Sequence, residues 1–180
     1  PFYAFGVIGL VWALVWFTRL TDDRKAAAPP KSGTPAIPWG RLLRLPAVMA
    51  IVVAHFCHNW SLYLLLAWLP SYFKSTFGVS LVNAGLLSAA PWLTGFLVCN
   101  TAGWVADLLL RRGQSATFVR KLMMTLGLGG VALFTLQLPS APSVVAGVVL
   151  TSCATGALSI SNAGFATNCF DIAPRYSGVI

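Results

Sequence analysis

Charge is what this chain has least of. Only 9% of its 180 residues are charged, and just four are acidic: Asp22, Asp23, Asp107 and Asp171. A soluble globular domain carries roughly 25% charged residues. The deficit excludes that class, and 57% hydrophobic residues with a mean hydropathy of +0.78 describe an integral membrane protein. Histidine is rarer still, with His55 and His58 alone, both in one apolar run. The four cysteines, Cys57, Cys99, Cys153 and Cys169, show no CxxC spacing. That argues against a disulfide framework or a metal site and for small buried hydrophobes. A net charge of +8 suggests nucleic acid, but the basic residues lie in the short segments between the hydrophobic runs, the footprint of the positive-inside rule and not of a phosphate-binding face. The chain opens inside an apolar run without a methionine and ends at Ile180 where another begins, so it is expected to be a piece of a longer protein.

A helix needs about 20 apolar residues to cross a hydrocarbon core of roughly 30 Å. The runs that meet this, or nearly do, predict an all-α bundle. Residues 1–18 end a first span, with Trp12 and Trp16 suited to an interfacial aromatic belt. Residues 19–44 are polar and proline-rich and read as a linker, its first part disordered and its end, from Ile37 to Arg44, a short amphipathic surface helix. The following spans are expected at 45–72, closed by Pro70 and Lys74, at 82–110 with a kink at Pro91, at 122–138, and at 144–170. A further span opens near 177. Of twelve Lys and Arg residues, six lie in 19–44, four between Arg111 and Lys121, and one is Arg175. Lys74 alone has the opposite parity. That asymmetry places loops 19–44, 111–121 and 171–176 on the cytoplasmic side or its equivalent.

Polar groups inside a span are expensive and normally face a protein interior or a water-filled path. The stretch from Ala54 to Pro70 is the candidate substrate-facing helix. His55, Asn59 and Leu62 follow one face, with His58 and Tyr63 on its shoulders. The competing reading for each histidine is a structural one, bonded to a carbonyl or a neighbour. In the fifth span Asn162 and Asn168 read equally as a polar cavity wall or as helix–helix glue, whereas Ser159 and Ser161 read as glue. Asp107 stands in the last turn of its span, where the helix dipole disfavours an anion unless a cation such as Arg111 offsets it. Asp171 and Arg175 have a spacing that allows pairing if the turn stays helical.

Gly103-Trp-Val-Ala-Asp107-Leu-Leu-Leu-Arg111-Arg112-Gly113 resembles the cytoplasmic loop motif of the major facilitator superfamily. Together with His55-Phe-Cys-His-Asn-Trp60, Val119-Arg-Lys-Leu-Met and Asp171-Ile-Ala-Pro-Arg175-Tyr, the chain resembles the second half of the anion–cation symporter family. That family includes sodium–phosphate cotransporters, sialin, vesicular glutamate transporters and plant plastid anion transporters. The resemblance runs from the sixth helix of twelve to the start of the eleventh. Vesicular glutamate transporters carry arginine where His58 stands, which puts glutamate in doubt, since histidine is charged only when protonated, with an ordinary pKa of about 6.5. The Cys57-His-Asn-Trp60 form looks most like the plastid members, linked to phosphate and ascorbate. Asn168-Cys169 replaces the family's Asn-His pair, so a second proton-linked histidine is missing.

The resemblance implies a secondary active transporter of a small anion, inorganic phosphate before an organic anion such as ascorbate, sialate or glutamate, working by alternating access. His55, His58, Asn59, Tyr63, Asn162 and Asn168 would line the path. Gly103, Asp107, Arg111, Arg112, Asp171 and Arg175 would form the cytoplasmic gate. Sodium or protons would couple, with no other cofactor and no metal. The expected partners are the anion, the lipid bilayer and a first half of the same transporter, whose arginines would carry much of the anion binding. Two rivals stay open: a membrane-embedded enzyme using the His-Cys-His cluster, and a non-transporting membrane protein that keeps the scaffold.

Overall fold

The structure, a computed structural model, describes residues 2–19 and 39–172. Most of the expected linker, together with Arg175, therefore lies outside the described residues. The chain divides into two units, Pro1–Ala36 and Ile37–Ile180. The first holds α1 (Phe2–Arg19), in which the Trp12 and Trp16 rings lie one turn apart with centroids 6.3 Å apart. The second holds the short α2 (Trp39–Leu42), α3 (Pro46–Phe77), α4 (Leu81–Arg111), α5 (Ala116–Leu136), a 3₁₀ turn (Leu138–Ser140) and α6 (Val144–Ile172). Among the described residues all regular structure is helical. Five helices are long and apolar enough to cross a membrane.

Helix ends are set by residues that satisfy orphan backbone groups. The hydroxyls of Ser80, Ser115 and Ser143 accept from the amides of Asn83, Phe118 and Ala146, capping α4, α5 and α6. Pro46 occupies the first turn of α3, where its missing N–H costs nothing. The expected stop of that helix at Pro70 does not occur. Pro70 lies inside α3, held on either side by Leu69 and Phe73, which are buried with Ala84 of α4. A proline removes one donor and crowds the preceding turn, a cost that tertiary packing offsets here. α3 ends instead at Gly78, whose φ of 65° suits glycine and whose amide bonds to the Lys74 carbonyl. α5 likewise begins at Ala116, ahead of the apolar run at Leu122, because the Ser115 cap starts the helix early and takes in Arg120 and Lys121.

α6 is the centre of the unit, packed most extensively on α5 and α4 and less on α3. Its buried positions are mostly small: Gly147, Thr151, Ala154, Thr155, Gly156, Ala157, Ser161, Ala163 and Gly164. In lipid no hydrophobic drive pulls helices together, so close van der Waals approach carries the association. At Gly127 of α5 the approach is as close as backbones allow. A Cβ there would stand 2.6 Å from Ser161 Cβ and 2.7 Å from its backbone nitrogen. At Gly130 a Cβ would stand 2.7 Å from that of Ala157.

Gly127→Ala should therefore push α5 off α6 and cost about 1–3 kcal/mol, read as a lower melting temperature in detergent. Gly129→Ala is the control, since a Cβ there meets nothing within 4 Å. It should be neutral or stabilising by up to about 1 kcal/mol. Equal losses in both variants would mean that close approach is not what holds these helices.

Candidate functional site

The buried stripe of α3 runs through Ile51, His58, Leu65, Leu69 and Phe73. His58 thus sits at the centre of the packed face, not on the shoulder of a face led by His55. It is 7% exposed, and its Nδ1 lies 2.8 Å from Ser161 Oγ of α6. Ser161 is fully buried, and its hydroxyl also lies 2.7 Å from the Leu158 carbonyl one turn back. Gly127 of α5 faces the Cβ and backbone nitrogen of Ser161, so three helices meet at this residue. Phe165, one turn further along α6, has its ring centroid 5.0 Å from both the His58 and His55 rings. His55 itself is exposed.

The remaining expected path residues are distributed. Asn59 is half-buried and donates to the backbone carbonyl of His55, so its amide serves its own helix. Tyr63 is 64% exposed and lies in an aromatic hollow with Phe56, Trp60 and Trp68, away from the His58–Ser161 contact. Asn162 is half-buried beside Ser161. Asn168 lines a cavity of about 510 Å³ between α3, α5 and α6, together with Phe165, Thr117, Arg120 and Lys121. The structure brings His55, His58 and Phe165 together, and Phe165 and Asn168 both line the neighbouring cavity.

Arg120 was not singled out by sequence reasoning as a site residue, yet it organises the basic end of the bundle. It is 9% exposed, its Nε donates to Asp171 Oδ2 at 2.8 Å, and its Nη1 donates to the Ala163 carbonyl at 3.0 Å. The pair joins the start of α5 to the last turn of α6, where a cation also offsets the negative helix end. It is the only ion pair among the described residues. The spacing of Asp171 to Arg175 had suggested a local pair. Arg175 lies outside the described residues, and among the described residues the partner of Asp171 is Arg120. The signal that could have found it was Ser115, a helix cap that starts α5 early enough to bring Arg120 one turn inside the helix.

At the end of α4, Gly103 is half-buried and Asp107, Arg111 and Arg112 are exposed. No ion pair joins Asp107 to either arginine among the described residues. Gly113, with φ of 84°, turns the chain towards α5. These charges line an open end of the bundle, unlike the buried Arg120.

The comparisons with known proteins agree with this architecture. The family model of the Major Facilitator Superfamily matches residues 1–180. The chain is 40% identical over 193 residues to the sodium-dependent phosphate transport protein 1, chloroplastic, of Arabidopsis thaliana, covering 99% of this chain and 38% of that protein. It is 36% identical to the ascorbate transporter, chloroplastic, of the same plant, and 38% identical to the probable anion transporter 1, chloroplastic, of Oryza sativa subsp. japonica. In each case 99% of this chain and 36% of the relative are covered. The chain thus spans well under half the length of these relatives. The anion–cation symporter resemblance agrees with their names, and with five apolar spans and a match along its whole length the chain belongs to the major facilitator superfamily of multi-pass membrane proteins.

Proposed function

We propose that the chain forms most of the second half of a secondary transporter that moves a small anion, with inorganic phosphate the first substrate and an organic anion such as ascorbate the second. The observation that carries the reading is His58, a buried imidazole in the inner part of a span that is otherwise uncharged between Arg44 and Lys74, held across a helix contact at Ser161. Ionisable groups in such positions normally serve a transport path. The relatives named for phosphate, ascorbate and anion transport support the substrate class. Substrate sits near the bilayer midplane, between this half and a first half not contained in the chain, and access alternates as one half rocks against the other. Sodium or protons supply the coupling.

The loops rich in Lys and Arg face the cytoplasm or its equivalent. There Asp107, Arg111 and Arg112 are exposed and free to meet the other half, the role of a gate. Arg120–Asp171 works within this half as a clasp that keeps α5 and α6 moving as one body.

The test is uptake of labelled phosphate into liposomes holding the complete protein, with and without a sodium gradient. Sodium-stimulated uptake should fall about tenfold or more in His58→Ala, since an unpaired buried polar contact is worth about 1–3 kcal/mol. Uptake indifferent to that substitution sinks the site. Uptake of ascorbate in place of phosphate keeps the fold and selects the second substrate.

The clasp has its own test in the thermal stability of Arg120→Ala, Asp171→Ala and the double variant. Asp171 is about a third exposed, so the coupling should lie near 1 kcal/mol, between exposed and buried pairs. Arg120→Ala should cost more than Asp171→Ala, because it also removes the bond to the Ala163 carbonyl, which keeps only donors from its own helix such as Thr167 Oγ1. Strictly additive losses would mean that the two side chains do not act as a pair.

A further inference from the structure

The contact between His58 and Ser161 contains a proton count. Ser161 Oγ stands 2.7 Å from the Leu158 carbonyl oxygen and 2.8 Å from His58 Nδ1. Two oxygens at that distance need a proton between them, and a carbonyl has none to give. The serine's single proton is therefore spent on Leu158. The second contact also needs a proton, and only the imidazole can supply it, so Nδ1 carries the hydrogen and donates to Oγ. No carboxylate of the described residues is in ion-pair contact with the ring, and a buried cation without a partner is costly. The ring is then the neutral Nδ1–H tautomer, with the lone pair on Nε2. No hydrogen bond reaches Nε2 from the described residues. Gly127 brings the α5 backbone against the Cβ and backbone nitrogen of Ser161, which fixes the point from which its hydroxyl reaches His58.

We infer that Ser161 is a positioning residue that sets His58 as a hydrogen-bond acceptor at Nε2, and so selects for oxyanions that carry an O–H. The inference rests on the reading that His58 lines the anion path. Hydrogen phosphate, or the hydroxyl of an organic acid, can donate to Nε2. Sulfate has the same tetrahedral shape and can match the charge, but offers only acceptors, and two acceptors facing each other leave a desolvated pair unbonded. A site that hydrogen-bonds a substrate O–H rejects analogues lacking it far more strongly than a pocket that reads size alone. Selection at His58 therefore depends on the direction of one hydrogen bond, set from the far side of the ring by a serine that does not touch substrate.

The experiment compares phosphate and sulfate as competitors of labelled phosphate uptake by the complete protein in liposomes at about pH 8, where an ordinary imidazole is neutral. Wild type should hold sulfate at least about a hundredfold weaker than phosphate. Ser161→Ala removes the acceptor at Nδ1, frees the ring to place its hydrogen on Nε2, and should bring the ratio to within about tenfold. Residual uptake and a monodisperse elution profile show that this variant is folded. His58→Asn keeps a donor beside Ser161 but has no atom at the Nε2 position. It should fold and show uptake as low as His58→Ala. An unchanged ratio in Ser161→Ala, with His58→Ala inactive, overturns the positioning role and leaves the transport reading standing. So does wild-type uptake that sulfate blocks as well as phosphate, or a His58→Asn variant that keeps both uptake and selectivity. Absence of phosphate uptake by wild type, or uptake indifferent to His58→Ala, removes the underlying reading and the inference with it.

Discussion

Where α6 meets α5, glycine is required because no side chain fits. Gly127 and Gly130 face Ser161 and Ala157 at distances that any added carbon would violate, and most of what the bundle does follows from that approach. It replaces the hydrophobic drive that lipid cannot provide. It fixes the rotation of α6, so that Ser161 meets α3 while Ala163 offers its carbonyl to Arg120. Bulkier residues on α6 would hold the helices apart, and the polar contacts between them would stretch beyond bonding distance.

Those contacts are few because most polar side chains in the spans satisfy themselves locally. Ser88, Thr94, Asn100, Thr135 and Thr151 return a hydrogen bond to a carbonyl four residues back on their own helix. In hydrocarbon that is the least costly solution for a hydroxyl or amide. The exceptions tie the unit together at three depths. Arg120 binds Asp171 and Ala163 at the basic end. His58 meets Ser161 further in, where Thr155 also donates to the Pro91 carbonyl of α4. Tyr72 donates to the Leu138 carbonyl at the opposite end. With a tie at each level this unit can move as a body, which the proposed rocking mechanism requires.

Much of this was legible in the residues. The five spans follow from runs of apolar composition. Helix ends were less legible, because a proline in a packed bundle is held by its neighbours, as Pro70 is by Leu69 and Phe73, while a serine cap can start a helix before its apolar run, as Ser115 does. In the candidate site, His58 was legible as an unusual residue but its face was not. The buried stripe of α3 repeats every seven residues through Ile51, His58 and Leu65, a pattern that polar residues alone do not reveal. Helical spacing puts Tyr63 on a shoulder of the histidine face, yet that shoulder turns towards Phe56, Trp60 and Trp68. Pairing across more than fifty residues, as between Arg120 and Asp171, depends on tertiary register that local spacing does not encode. Ser161 looked like glue and is bonded as glue, but its partner is the histidine.

Permanent charge and neutral polarity are segregated along the bundle. Lys74, Asp107, Arg111, Arg112, Arg120, Lys121 and Asp171 all stand within a few turns of a helix end, and the inner part of the described spans carries no Lys, Arg, Asp or Glu, its polar groups being imidazole, hydroxyl, amide, thiol and indole. An arginine in place of His58 would need a counter-charge at that depth, and none of the described residues provides one. A neutral imidazole needs only a hydroxyl to orient it, which the α5–α6 contact delivers. Its contribution to an anion site is therefore different in kind from that of an arginine. It adds little attraction at a distance, because it holds no fixed charge, and it discriminates at contact, because its lone pair accepts only from a donor. In the proposed transport role, attraction comes from residues outside this chain and from the basic end, and the second half supplies selection.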